Sequence, residues 1–172
     1  MQQATTSPAG LDRRDLRRAL GRFATGVTVI TTRAGDGRRV GMTANSFSSV
    51  SLDPPLVLWS LSRQAPSAAD FTGASHFAIH VLAAHQHHLS RRFATPQADK
   101  FGGLDCCEGV AGLPLIDGVI ARFVCRNLRQ YDGGDHLIFI GEVECYERFD
   151  GEPLVFHSGY YQLTHRHPEC LA

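Results

Sequence analysis

The stretch VGMTANSFSSVSLDPPLVLWSLS, Val40 to Ser62, changes character half way along. Its first half is small and polar, with Thr43, Asn45, Ser46, Ser48, Ser49 and Ser51. Its second half carries Leu56, Val57, Leu58 and Trp59. Between them stands Asp53-Pro54-Pro55, and neither proline can donate to a β-ladder. The pattern predicts two extended segments: a first rich in hydroxyls and a second that reads as a buried strand.

Working outward, more strands appear. VTVITT, Val27 to Thr32, is β-branched throughout and leads into AGDGR, a hairpin turn built on Asp36-Gly37. HFAIHVL alternates. GVIARFVCRNLRQYD, HLIFIGEVECYERF and PLVFHSGYYQL continue the run, with turns at Asp132-Gly133-Gly134 and Asp150-Gly151. Helices are few. Leu16, Leu20 and Phe23 recur at helical spacing from Asp12 onward, and Gly26 is expected to end that helix. SAADF predicts a short helix from Ser67 to Phe71, and HQHHLSRRFA a further one with Leu89 and Phe93 on one face. The Gly-rich residues 94–113 read as loop. Short strands, tight turns and decorating helices predict a mainly β fold, a closed or nearly closed antiparallel barrel. No G-x-G-x-x-G follows a strand, so a Rossmann nucleotide site is not indicated.

Bulk properties narrow the function classes. The chain has 172 residues, room for one domain with a real core. Seventeen basic side chains balance seventeen acidic ones, so no net field draws it to nucleic acid or anionic lipid. The apolar runs are too short to span a bilayer, and MQQATTSPAG has no signal-peptide core. The expectation is a cytoplasmic protein with a flexible tail over 1–10, one domain over 11–164 and a C-terminal tail over 165–172. The five cysteines are odd in number and include no C-x-x-C, which predicts free thiols.

Nine histidines invite a metal reading, but the spacing does not support one. On a strand His76 and His80 stand ~13 Å apart, too far for one ion. His85 and His88 share a helix face without a carboxylate or thiol to complete a site. No metal is expected. A Ser–His–acid hydrolase lacks its strand–turn–helix serine motif. The hydroxyls and amide of Thr43 to Ser46 suit a flat heteroaromatic ligand, whose carbonyls and ring nitrogens they can meet without net charge. Ser62, Arg63 and Ser67, at the start of a predicted helix, would suit a phosphate, and Lys100 adds a second cation. The same residues also read as turn serines and surface cations.

The segments RFATGVTVITT, GMTANSFSSVSLDPPLVLWSLS, DKF, GDHLIFIGEV and PLVFHSGYY occur together, in order, from Leu16 to Leu163. In this the sequence resembles the short-chain flavin reductases. These are flavin reductase-like, FMN-binding split-barrel proteins that serve as reductase components of two-component monooxygenases. The resemblance implies a six-stranded antiparallel Greek-key barrel and a homodimer. It implies reduction of FMN or FAD by NADH or NADPH, with reduced flavin supplied to a partner monooxygenase. Thr43, Ala44, Asn45 and Ser46 would line the isoalloxazine and ribityl chain, and Ser60, Leu61 and Ser62 would continue toward the phosphate. Arg63 and Ser67 would meet the phosphate, while Lys100 and Phe101 close over the flavin. His136 would stand near the reacting rings in the catalytic role, and Tyr160 at the far end. Ser158 stands where relatives often carry a basic residue, and Cys106 where an aromatic one is common. The alternatives are a flavoprotein that keeps its flavin and acts on a pathway substrate, or a flavin- or haem-binding barrel without turnover.

Overall fold

The computed structural model describes residues 10–167 and 169. The expected N-terminal tail and the end of the C-terminal one lie outside the described residues. In chain order the elements are α1 (Arg13–Leu20), β1 (Thr25–Gly26), β2 (Thr28–Arg33), β3 (Arg39–Ala44), β4 (Ser48–Leu52), β5 (Pro55–Ser62) and α2 (Ala68–Gly73). They continue with β6 (His76–Val81), α3 (His87–Ala94), β7 (Cys106–Glu108), β8 (Pro114–Ile116), β9 (Ala121–Gly133), β10 (His136–Arg148), β11 (Val155–His157) and β12 (Tyr160–Gln162).

The main sheet is antiparallel and runs β3-β2-β6-β9-β10-β5-β4. Laid flat, seven strands at ~4.8 Å spacing would hold its two edges ~29 Å apart. Yet those edges, β3 and β4, are consecutive in the chain and joined by residues 45–47 alone. Such a link spans at most ~14 Å. The sheet therefore curls back on itself, and the seam falls where the TANSF segment sits. The resemblance implied six strands; the described sheet has seven, the short β4 among them.

Inside the curl, β5 alternates. Val57, Trp59 and Leu61 are buried, and the residues between them are half-buried. Trp59 stacks on Phe139 at 4.4 Å and meets Phe71 and Phe77 edge-on. A second cluster lies outside the sheet, where Leu89 and Phe93 of α3 pack with Val27, Val29, Phe101 and Ile116. Strand β2 is sandwiched between the two clusters, so its residues from Thr28 to Thr32 are all buried. Its threonines are satisfied by carbonyls: Thr28 Oγ1 donates to Ala44 O at 2.7 Å, Thr31 to Pro114 O at 2.7 Å and Thr32 to His76 O at 2.8 Å.

Two local expectations are corrected. The first helix ends at Leu20, where the Gly21 N–H bonds Arg17 O; Gly26 belongs to β1. Phe23 keeps the helical spacing although the chain has already left the helix. The stretch 94–113 is not all loop, because β7 pairs with β8 as a small hairpin. His80 is fully buried. Ile116 N–H donates to its Nε2 at 3.1 Å, so the proton sits on Nδ1, which donates to Val29 O at 3.0 Å. Desolvation lowers its pKa to about 3, and the neutral ring pins β8 onto the barrel.

Candidate active site

Strand β3 has one paired edge and one open edge. The Gly41 carbonyl accepts Lys100 Nζ at 3.3 Å, so it faces away from β2. In an antiparallel strand the N–H and C=O of a residue point the same way, and every second residue shares that direction. The N–H groups of Gly41 and Thr43 therefore line the open edge. They are donors held in place by the barrel.

This edge looks onto a groove with two lobes. The first, of about 370 Å³, is lined by Thr43, Ala44, Asn45, Ser46, Ser60, Leu61, Ser62 and His136. The second, of about 360 Å³, is lined by Gly41, Ser67, Lys100 and Phe101, among others. Met42, Thr43 and Ala65 belong to both, so the groove is continuous. The β3–β4 link, the end of β5 and the start of β10 thus bring eight of the sequence-expected residues into one lobe. Three more lie in the next lobe.

Not every hydroxyl is free. Thr43 Oγ1 donates to Ser90 O at 2.7 Å, tying β3 to α3. Ser46 Oγ accepts the Ser60 N–H at 2.9 Å and sits 3.2 Å from Ser60 O, which laces the seam between the β3–β4 link and β5. Ser62 Oγ accepts the Gln64 N–H at 3.3 Å. Ala44 and Leu61 are buried in the core, so the groove meets their backbone. Asn45 is exposed, and Ser67 makes no side-chain bond at its cap position. These two keep their polar atoms for a ligand.

Lys100 Nζ also donates to Phe93 O at 2.7 Å. Its ammonium has three protons, so one remains for the second lobe. Partial burial lowers its pKa. Phe101 is buried against Phe93, edge to face at 5.1 Å. Gly41 makes this packing possible: a Cβ there would fall 2.5 Å from the Phe93 ring.

His136 opens β10 opposite Ser62, with Nδ1 2.7 Å from Asp135 Oδ1. That bond lowers the Asp135 pKa, so the carboxylate stays ionised and holds the Nδ1 proton. Nε2 is then left as the second polar atom of the ring.

Two expected residues stand apart. Arg63 Nε donates to Gly134 O at 3.1 Å and its guanidinium pairs with Asp132, which turns it onto the β9–β10 hairpin and away from both lobes. Tyr160 is exposed on β12 and lines neither lobe. Sequence reasoning missed Met42 and Ala65 at the junction and Arg39 in the second lobe. Arg39 was signalled only by lying two residues before GMTANSF. No group of three or more His, Cys, Asp or Glu side chains able to hold a metal occurs among the described residues.

Residues 20–164 match the flavin reductase like domain family. The chain belongs to that family. Among curated relatives of this flavin reductase-family protein, FMN reductase (NADH) SmoA of Agrobacterium fabrum is 49% identical over 154 residues, covering 90% of this chain and 87% of the relative. The reductase component of flavin-dependent trigonelline monooxygenase of Acinetobacter baylyi is 46% identical over 86% of this chain. Here the chain spans about half, 48%, of the relative's length. Among solved structures, the NADH:FAD oxidoreductase SgcE6 of Streptomyces globisporus C-1027, in complex with NAD and FAD fragments, superposes with a TM-score of 0.87 at 40% identity. That match covers 98% of this chain and 99% of the other.

Proposed function

We propose that this protein is an NAD(P)H:flavin oxidoreductase that reduces FMN or FAD and supplies reduced flavin to a partner monooxygenase. The observation that carries the reading is the open, donor-bearing edge of β3 facing a continuous two-lobed groove. A flat, acceptor-rich heterocycle fits those fixed donors, and Asn45 and Ser67 offer polar atoms with no other use in the fold. The relatives named as reductase components of monooxygenases support the destination of the reduced flavin.

The chemistry that the flavin–nicotinamide pair supplies is hydride transfer from nicotinamide C4 to flavin N5. The chain's own task is to bind, orient and balance charge. The N–H groups of Gly41 and Thr43 meet ring acceptors and favour the more electron-rich state of whatever they hold. His136, fixed through Nδ1 by Asp135, offers Nε2 at the mouth of the first lobe. Trp59, Phe139 and Leu61 form the rigid floor that holds the donors in register. The groove is open to solvent rather than enclosed, which suits a flavin that arrives oxidised and leaves reduced.

We take residues 11–164 as one domain and the working state as a homodimer. Helix α1 buries none of its residues, and Leu16, Leu20 and Phe23 stay exposed in the single chain. A second copy packed on this face would cover it. We place the protein in the cytoplasm, where NADH and NADPH are at hand and the free thiols of Cys106, Cys107, Cys125 and Cys145 are kept reduced. No described helix is long and apolar enough to cross a membrane. Flavin-dependent oxidation of nicotinamide by the purified protein tests the proposal.

A further inference from the structure

The second lobe holds cations that the fold does not use up. Arg39 opens β3, is exposed, and lies with its guanidinium carbon 5.1 Å above the Phe101 ring. It makes no ion pair with any described carboxylate. Its neighbours do: Arg38 pairs with Asp36 at 2.7 Å and Asp70 at 3.2 Å, and Arg33 pairs with Glu108 at 3.2 Å. Of the two carboxylates in the lobe, Asp70 is held by Arg38, and Asp99 turns Oδ1 to the Phe101 N–H at 2.8 Å. The donors left over are the Arg39 fork, one proton of Lys100 and the Ser67 hydroxyl.

We propose that Arg39 is the residue that selects phosphorylated flavins, its guanidinium taking the ribityl 5′-phosphate together with Lys100 in the second lobe. The inference rests on the flavin reading of the groove and replaces Arg63, which the β9–β10 hairpin holds elsewhere. Arg39 and Gly41 lie two apart on β3, so both face the Phe93–Phe101 pair. The arginine is thus laid on an aromatic shelf beside the lysine that bonds Gly41 O. The shelf limits the fork's freedom before an anion arrives, and a planar fork suits two phosphate oxygens at once. Thr43, common to both lobes, stands four residues from Arg39 along the strand, ~13 Å. An extended ribityl phosphate and the arginine side chain together bridge that separation.

The test compares flavins with and without the phosphate. Dissociation constants of riboflavin and FMN are measured by flavin fluorescence for the wild type, Arg39→Gln and Arg39→Lys. The wild type is expected to bind FMN about tenfold more tightly than riboflavin, the difference a charge-assisted bidentate contact supplies. Arg39→Gln brings the ratio to within about threefold while riboflavin binding stays unchanged, and Arg39→Lys falls between. The proposal is overturned if Arg39→Gln leaves the FMN-to-riboflavin ratio intact or weakens both flavins alike. It is also overturned if the KM for NADPH rises selectively, which would give the site to a nucleotide 2′-phosphate. Arg39→Lys keeps a cation over Phe101 and so carries the test even if the glutamine variant does not fold. The riboflavin arm keeps the two readings apart. Wild-type protein that reduces no flavin overturns both, whereas riboflavin turnover with an unaltered ratio in the variant overturns the phosphate assignment alone.

Discussion

The Ser46 hydroxyl sits between the N–H and the C=O of Ser60, 2.9 Å from the nitrogen and 3.2 Å from the oxygen. One side chain on the β3–β4 link thereby takes up both polar groups of a β5 residue, at the point where the sheet closes. Ser46→Ala leaves the half-buried Ser60 N–H without its partner. The expected cost is about 1–2 kcal/mol of stability, read as a lower urea midpoint with an unchanged slope. The same variant loosens one wall of the first lobe, so its affinity for flavin falls as well.

Gly41 permits the close approach of α3 and the 99–101 turn to β3. Gly41→Ala would place a methyl 2.5 Å from Phe93 Cε1 and 3.1 Å from Phe101 Cζ, both well-packed rings. Overpacking of this kind costs about 1–3 kcal/mol. The expected outcome is a lower thermal midpoint and weaker flavin binding in one variant, because the shifted rings carry Lys100 with them.

The buried His80 makes stability depend on pH. Its folded pKa, about 3, lies below the ordinary value of 6.5. Between those values the unfolded chain binds more protons than the folded one, so stability rises with pH. The contribution is fully present above about pH 6.5 and is lost as pH falls toward 3, at ~1.4 kcal/mol per unit. Chemical denaturation at pH 7, 6 and 5 should show that loss. His80→Gln should be less stable at pH 7 but flatter below pH 6.5. An equal slope in both proteins would assign the acid sensitivity to other groups.

Asn45 and His136 both line the first lobe, yet only the amide is free of a fixed partner. His136 spends one ring nitrogen on Asp135. Asn45→Ala is therefore expected to weaken flavin affinity more than His136→Ala does. The larger effect of His136→Ala should fall on the turnover number. Fluorescence titration together with steady-state rates separates the two roles, and equal affinities would contradict them.

The uncovered face of α1 predicts the assembly state. Leu16→Glu combined with Leu20→Glu should convert a dimer into a monomer in light scattering after size exclusion. Both side chains are exposed in the single chain, so the substitutions remove no packing from its core.

Much of the barrel was legible in the sequence because its signals are local. Alternation in LVLWSLS, the Asp36-Gly37 hairpin and the Asp53-Pro54-Pro55 break each act within a few residues. The stretch from Thr43 to Ser46 stood out as polar beside a core strand, but it was the resemblance of the surrounding segments that named its residues as a flavin lining. The direction of Arg63 was not legible, since its partner Asp132 comes 69 residues later and is reached only through the β5–β10 pairing. Nor was the role of His80, fixed by Val29 and Ile116 from two distant strands. The first helix was read too long because Phe23 continues its apolar spacing, while the backbone had already turned at Gly21. The cationic second lobe needed the structure for a similar reason. Only there do Arg33 and Arg38 find carboxylates, leaving Arg39 alone.

The central claim is that the groove beside β3 brings flavin and nicotinamide together for hydride transfer. Initial rates of nicotinamide oxidation, followed by its absorbance, with FMN or FAD and with NADH or NADPH, test this most directly. Oxidation that depends on added flavin and saturates with it in at least one of the four pairs is the predicted result. A purified, folded protein that oxidises neither nucleotide with either flavin would contradict it.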